Sequence, residues 1–333
     1  MSLFRALLIL LGILGVALPQ ASGQLLQPET ASTTGKVTLE TSGNSRWSNE
    51  DWTKLPLAES GLNLSQYVAV LQGHTETANY TRDEIRVQWR LSDPFEIYVV
   101  LPKGVKNPPA ILYIYDYRFA SGRFRDDGWC TRATKGGVAA VGFTSYLSIE
   151  RRDYRPMKEW FVSQLQEALG TSTHDVQMVL NYLASRGDID MGRIGIFGQG
   201  SGGAIALLAA SVDKRIVAVD LLDPWGDWPD WLKYSRQVPE DERSRYLTPE
   251  FLQSVSGMDP VKVLGSLSTA HVRVQQLMDD EVTPREVKVA ISAAVHPPQV
   301  EREFKDSMEH AAEWQKSGVA GWLREQLAQS EPQ

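Results

Sequence analysis

The stretch Arg193-Ile194-Gly195-Ile196-Phe197-Gly198-Gln199-Gly200-Ser201-Gly202-Gly203 decides how the rest of this chain is read. It opens as a short β-rich apolar run and ends in a glycine cluster. The small-residue segment from about Gly202 to Ser211 that follows is helical in pattern. Two motifs fit this strand, glycine turn and helix. Gly198, Gly200 and Gly203 spell a dinucleotide fingerprint, with Asp220 closing the next strand about 20 residues on. The same residues also spell a strand-to-helix elbow, G-x-nucleophile-x-G, whose flanks must be small because the turn is sharp.

The order of elements around the stretch separates the two. Upstream, Ile85 to Arg90 and Glu96 to Leu101 read as paired strands joined by the turn-like Leu91-Ser92-Asp93-Pro94. Ala110 to Tyr115 and Val138 to Phe143 are apolar runs without alternation, as strands buried on both faces require. Glu159 to Arg186 carries helix-spaced Val176, Val179, Leu180 and Leu183. Downstream lie the strands Ile216 to Leu221, Val272 to Leu277 and Val300 to Phe304, then a closing helix from Glu309 to Gln326. A dinucleotide fingerprint opens its domain, whereas here four strands and a long helix come first, so the order favours the elbow. The sum is an open α/β sheet of eight strands, most of them alternating with helices.

The 333 residues, 42% hydrophobic and 23% charged, suffice for a full core. Net charge −7 without a basic block argues against nucleic acid as a partner. Arg5, the apolar run Ala6 to Leu18 and the small residues Ala21-Ser22-Gly23 read as an export signal, removed after residue 23. The run is too short for a bilayer-spanning helix, so no stable membrane span is expected once the signal is cleaved, and the mature chain is expected to be periplasmic or secreted. Residues 24–50 are rich in Ser, Thr, Gly and Gln and read as a flexible lead-in, leaving 51–333 as the folded domain. Asn63-Leu64-Ser65 and Asn79-Tyr80-Thr81 match the glycosylation pattern. The single cysteine, Cys130, has no partner for an internal disulfide and reads as a small buried apolar residue.

From the helix ending Leu180-Asn181-Tyr182-Leu183, through Asp190-Met191-Gly192-Arg193, to the glycine cluster, the chain resembles the α/β-hydrolase superfamily. It is most similar there to the esterase and dienelactone-hydrolase-like branches. The resemblance covers roughly residues 80 to 327. It implies an α/β-hydrolase fold with an eight-stranded, mostly parallel sheet, helices on both faces and a cap inserted after the sixth strand, about 224–265. In that register the nucleophile falls on Gly200, not on a serine. Ser201 stands one position later, where the family's residue donates a backbone N–H to the oxyanion hole, and where a hydroxyl can also cap a helix. Asp280-Glu281-Val282-Thr283-Pro284 resembles the family's D-x-x-V-P and puts Asp280 in the acid position, with Asp279 beside it and Asp223 as the other place for an acid. His310, after the last strand, stands where the family keeps its base, and His296 is a weaker second choice. His74, His174 and His271 sit at no such junction.

A second departure lies at Tyr115-Asp116, where many relatives carry His-Gly to shape the oxyanion loop. A carboxylate there opposes a developing oxyanion, so either Asp116 turns aside towards Arg118 or Arg123, or the hole is not functional. In the cap, Trp225, Trp228 and Trp231 recur every third residue and either hold an aromatic or sugar-containing ligand or pack the cap onto the sheet, while Pro224 and Pro229 argue against one continuous helix. The resemblance therefore implies an exported hydrolase of carboxylic esters, lactones or related acyl bonds. Its machinery would be Ser201 as nucleophile, His310 as base and Asp280 as orienting acid, with Gly200, Gly202, Tyr115, Asp116, Trp225 and Trp228 against the substrate. No metal or organic cofactor is implied. Two alternatives stand beside it: a binding protein on a degenerate hydrolase frame and, more weakly, a dinucleotide-binding oxidoreductase.

Overall fold

The computed structural model describes residues 50–62, 68–91, 93–117, 121–152, 161–317 and 320–329. The expected signal, nearly all of the lead-in and the Asn63 glycosylation pattern lie outside them. Among the described residues nine strands form one sheet: β1 (Val68–Glu76), β2 (Tyr80–Gln88), β3 (Phe95–Pro102), β4 (Ala110–Ile114), β5 (Ala139–Phe143), β6 (Ile194–Gln199), β7 (Ile216–Leu222), β8 (His271–Leu277) and β9 (Val300–Phe304). Their spatial order is β1-β2-β3-β5-β4-β6-β7-β8-β9. The first three pair antiparallel and β3 pairs antiparallel with β5, while every pairing from β5 through β4 to β9 is parallel. The expected count of eight is thus one short. The strand that escaped, β1, lies at the sheet edge with most of its side chains in solvent, so no apolar alternation marks it.

β4, β5 and nearly all of β6 are buried, as strands covered on both faces must be. Alternate residues feed two cores. Leu112, Ile114, Val141, Ile194 and Ile196 point to the face covered by the helices Leu165–Arg186 and Ser201–Val212. Ile111, Tyr113, Tyr115, Ala140 and Phe197 point to the opposite face, closed by the helix Asp127–Ala133 and by Leu323 and Leu327 of Gly321–Gln329. The closing helix expected over 309–326 is two helices, Ser307–Ser317 and Gly321–Gln329, with Ala320 at φ 54° before the second. No helix among the described residues is long and apolar enough to cross a membrane.

Beneath the first face lies a buried ion network. Arg90 grips Glu50 with two nitrogens, at 2.5 and 2.7 Å, and also pairs with Asp175. Arg151 bonds Asp93 at 2.7 Å and Asp175 at 2.6 Å, and His174 places one ring nitrogen 2.6 Å from Glu50 and the other 2.6 Å from the Lys54 carbonyl oxygen. Every side chain in it is essentially sealed from water. Burial works against the charge on Glu50, but Arg90 and His174 outweigh it and hold that carboxyl far below its usual range. His174, which sits at no catalytic junction in the sequence, belongs to this network.

Candidate active site

β6 lies centrally, between β4 and β7, and delivers the chain to Gly200 at φ 55° and ψ −119°, from which the helix Ser201–Val212 starts. That backbone region strains any residue with a side chain. Gly200 N–H donates to the Leu222 carbonyl at 2.9 Å, and its own carbonyl accepts from Gly203, Ala204 and Trp225 at 3.0, 3.2 and 3.1 Å. The flanks are glycine for steric reasons. A Cβ at Gly198 would stand 2.6 Å from the Gly202 carbonyl oxygen, and one at Gly202 would overlap the Ile114 carbonyl. The elbow is therefore formed, and its apex carries no side chain.

The space above the apex is taken. Asp116, two residues past the end of β4, accepts on one carboxylate oxygen from Tyr117 N–H at 2.6 Å, Ser201 N–H at 3.3 Å and the Ser201 hydroxyl at 3.1 Å. A Cβ built on Gly200 would lie 2.6 Å from that same oxygen. Asp116 thus turns inward, which removes the first of the two alternatives that the sequence left open. Arg118 lies outside the described residues, and Arg123 is stacked 4.5 Å over the Tyr115 ring. Burial pushes the Asp116 carboxyl up to about 6 and the Asp280 charge adds to this, against the lowering by its N–H and O–H donors.

Ser201 is buried and its hydroxyl is spent on Asp116. Asp280 follows β8, but its two carboxylate oxygens accept from Val282 N–H at 3.2 Å and Thr283 N–H at 2.8 Å, so the D-x-x-V-P turn closes on itself. Lys288, unmarked by any motif, reaches from the helix Arg285–Ala294 to donate to the carbonyls of Leu277 at 2.5 Å and Asp280 at 2.6 Å. Asp223, the alternative acid, sits at φ 45° just past β7 and accepts Leu277 N–H at 2.8 Å. Burial, with the charges of Asp280 and Asp279, pushes its carboxyl up to about 7.

His310 packs between the rings of Phe304 and Trp314, each centroid 4.9 Å away. Its Nε2 is buried without a hydrogen-bond partner. Burial drives the imidazole down to about 4, and the Arg273 charge pushes the same way. Among the described residues no hydrogen bond joins His310 to Asp280 or to Ser201. The family resemblance named the three positions, yet the structure joins Ser201 to Asp116, leaves Asp280 in its own loop and leaves His310 in an aromatic slot.

Trp225 and Trp228 are about 1% exposed and belong to the main core, with Trp231 only 4.5 Å from Trp225 between ring centroids. The Trp228 indole donates to the Met258 carbonyl at 2.9 Å. These rings fasten the cap and offer no open face to a ligand. As the prolines implied, the cap is not one helix; it holds short ones, including Trp228–Tyr234 and Pro249–Val255. Tyr115 packs on the sheet face opposite the elbow helix, its hydroxyl accepting the Trp129 indole N–H at 3.0 Å. Asp220, which a dinucleotide reading needs, is buried and bound to Arg273 and Gln275. Cys130 is buried, as expected.

No family model matches the chain, and no curated protein is significantly similar to it in sequence. Solved structures are similar. Acetyl xylan esterase 1 from Thermoanaerobacterium sp. JW/SL YS485 matches 83% of this chain and 92% of its own at 13% identity, with a TM-score of 0.63. The acetyl xylan esterase from Paenibacillus sp. R4 matches 75% and 87% at 16% identity, with a TM-score of 0.58. A cold-adapted esterase from an Arctic intertidal metagenomic library matches 79% and 100% at 14% identity, with a TM-score of 0.55. At such identity the likeness speaks for the fold, and with the central elbow strand and the sheet order it gives one conclusion: this chain has the α/β-hydrolase fold.

Proposed function

We propose that this protein is a binding protein built on an esterase frame, one that does not form an acyl-enzyme. One observation carries the reading: the Asp116 carboxylate holds the N–H groups of Ser201 and Tyr117 and excludes any side chain at Gly200. In acyl transfer the amide of the residue after the nucleophile stabilises the oxyanion of the tetrahedral intermediate. Here a tethered anion takes that amide, and its negative charge beside a developing oxyanion would repel it. The base position argues the same way. An imidazole held near 4 is a weak proton acceptor, and among the described residues His310 has neither a carboxylate to orient it nor a hydroxyl to deprotonate. Export to the periplasm or medium belongs to the same proposal and rests on Arg5, the apolar run Ala6 to Leu18 and Ala21-Ser22-Gly23.

One contact favours a second reading, ester hydrolysis with the nucleophile shifted by one residue. The Ser201 hydroxyl lies 3.1 Å from a carboxylate whose proton affinity is raised, which is the geometry of a base beside a nucleophile. The two readings separate on the intact mature protein treated with a fluorophosphonate probe and assayed with p-nitrophenyl acetate. The binding reading expects no label at Ser201 and no turnover above that of Ser201→Ala. Stoichiometric labelling of Ser201, with hydrolysis abolished by Ser201→Ala, overturns it.

A further inference from the structure

On the sheet face opposite the elbow helix lies an open cleft of about 520 Å³ lined by Tyr115, Arg123, Asp126, Trp129, Arg132 and Trp314. Its volume suits a ligand of one or two rings. Trp129 comes from the helix Asp127–Ala133, Tyr115 from just past β4 and Trp314 from the helix Ser307–Ser317, so three separate elements bring aromatic surface to one hollow. The Trp129 indole, donating to the Tyr115 hydroxyl at 3.0 Å, fixes both rings.

The charges are asymmetric. Asp126 is committed, since its carboxylate caps the helix by accepting Trp129 N–H at 2.6 Å. Arg123 lies over the Tyr115 ring, its guanidinium carbon 4.5 Å from the centroid. Arg132 is exposed and, among the described residues, has no ion pair and no side-chain hydrogen bond. In a chain of net charge −7, which repels anions at long range, two guanidinium groups against the one carboxylate of Asp126, one of the two lying over an aromatic ring, are a local exception. A guanidinium recognises a carboxylate through paired N–H donors, and an aromatic wall recognises the apolar face of a ring.

We propose that this cleft binds a ring-bearing carboxylate, the carboxylate on Arg132 and Arg123 and the ring against Trp129 and Trp314. The site goes beyond the reading of the elbow and stands whether or not the elbow turns over esters. The same chemistry is found in an aromatic acid and in a sugar acid, and the two arms of the test tell them apart.

The probes are benzoate and D-glucuronate, each set against its neutral counterpart, benzyl alcohol and D-glucose, with binding followed by tryptophan fluorescence and calorimetry on the mature protein. One acid, aromatic or sugar, is expected to bind at least ~10-fold more tightly than its neutral counterpart and to weaken as salt rises. Arg132→Gln is expected to lower the affinity ~10-fold or more, the change following from loss of a charged donor at an exposed position that leaves folding intact. Trp314→Leu is expected to remove most of the fluorescence response. Saturation by neither acid at ~10 mM, equal binding of acid and neutral counterpart, or unchanged affinity in Arg132→Gln would each overturn the proposal.

Discussion

Asp116 and Gly200 are sterically exclusive partners: the carboxylate of one occupies the volume that a Cβ on the other would need, 2.6 Å from its oxygen. The glycine is therefore a condition for the inward aspartate, and the two are expected to change together.

Gly200→Ala should destabilise the fold by ~1–3 kcal/mol through overpacking and backbone strain. Part of this should vanish in Gly200→Ala/Asp116→Gly, where the colliding carboxylate is gone. Urea unfolding of the four proteins of the cycle should give a favourable coupling of ~0.5–3 kcal/mol. Additive losses would mean that the two side chains do not compete for space.

Asp116 and Asp223 carry carboxyls raised from 3.8 to about 6 and about 7. The folded chain therefore holds protons that the unfolded chain releases near pH 4. The stability they contribute is fully present below that pH and is lost as pH rises through 6 and 7. Chemical denaturation at pH 4.5 and 7.5 should show that Asp116→Asn/Asp223→Asn loses less stability over this interval than the wild type. An identical loss in both proteins would contradict the raised carboxyls.

His310 works in the opposite direction. Lowered from 6.5 to about 4, it contributes stability that is present above pH 6.5 and lost as pH falls through 4, because only the unfolded chain takes up the proton in between. NMR should find its ring resonances unshifted from pH 8 to about pH 5, and His310→Phe, which fills the same aromatic slot, should flatten the acid limb of the stability curve. A ring titrating near pH 6.5 would show that it is not sealed.

Arg151 is fully buried between Asp93 and Asp175, whereas Arg125 meets Glu84 at the surface. Arg151→Met should cost ~3–5 kcal/mol, because two carboxylates lose their partner inside the protein. Arg125→Met should cost less than ~1 kcal/mol. Thermal and urea unfolding of both variants provide the comparison, and similar losses would mean that water reaches the inner network.

The parallel part of the sheet was legible because β4, β5 and β6 are apolar on both faces and end at turns, a pattern that needs no partner to be seen. β1 was not, since Val68, Val70 and Leu71 point into solvent and nothing in their spacing distinguishes an edge strand from a loop. The elbow could be placed to the residue, because its glycines answer to local sterics. The inward turn of Asp116 could not, because it depends on Ser201 approaching from 85 positions further along the chain. The cap tryptophans show the limit of periodicity. A spacing of three puts rings on one side of an element, and says nothing about whether that side meets solvent or core.

The grip of Arg90 on Glu50 has a consequence for how the chain can be trimmed. Patterning placed the start of the folded domain at residue 51, yet the carboxylate of Glu50, one residue earlier, neutralises one of the two arginines of the buried network. Shortening the chain from its start therefore leaves the network whole only as far as Glu50. A chain that began after it would lack a counter-charge and would hold an arginine inside the protein short of one of its carboxylates. The ion network thereby marks, in electrostatic terms, the point beyond which trimming becomes damage.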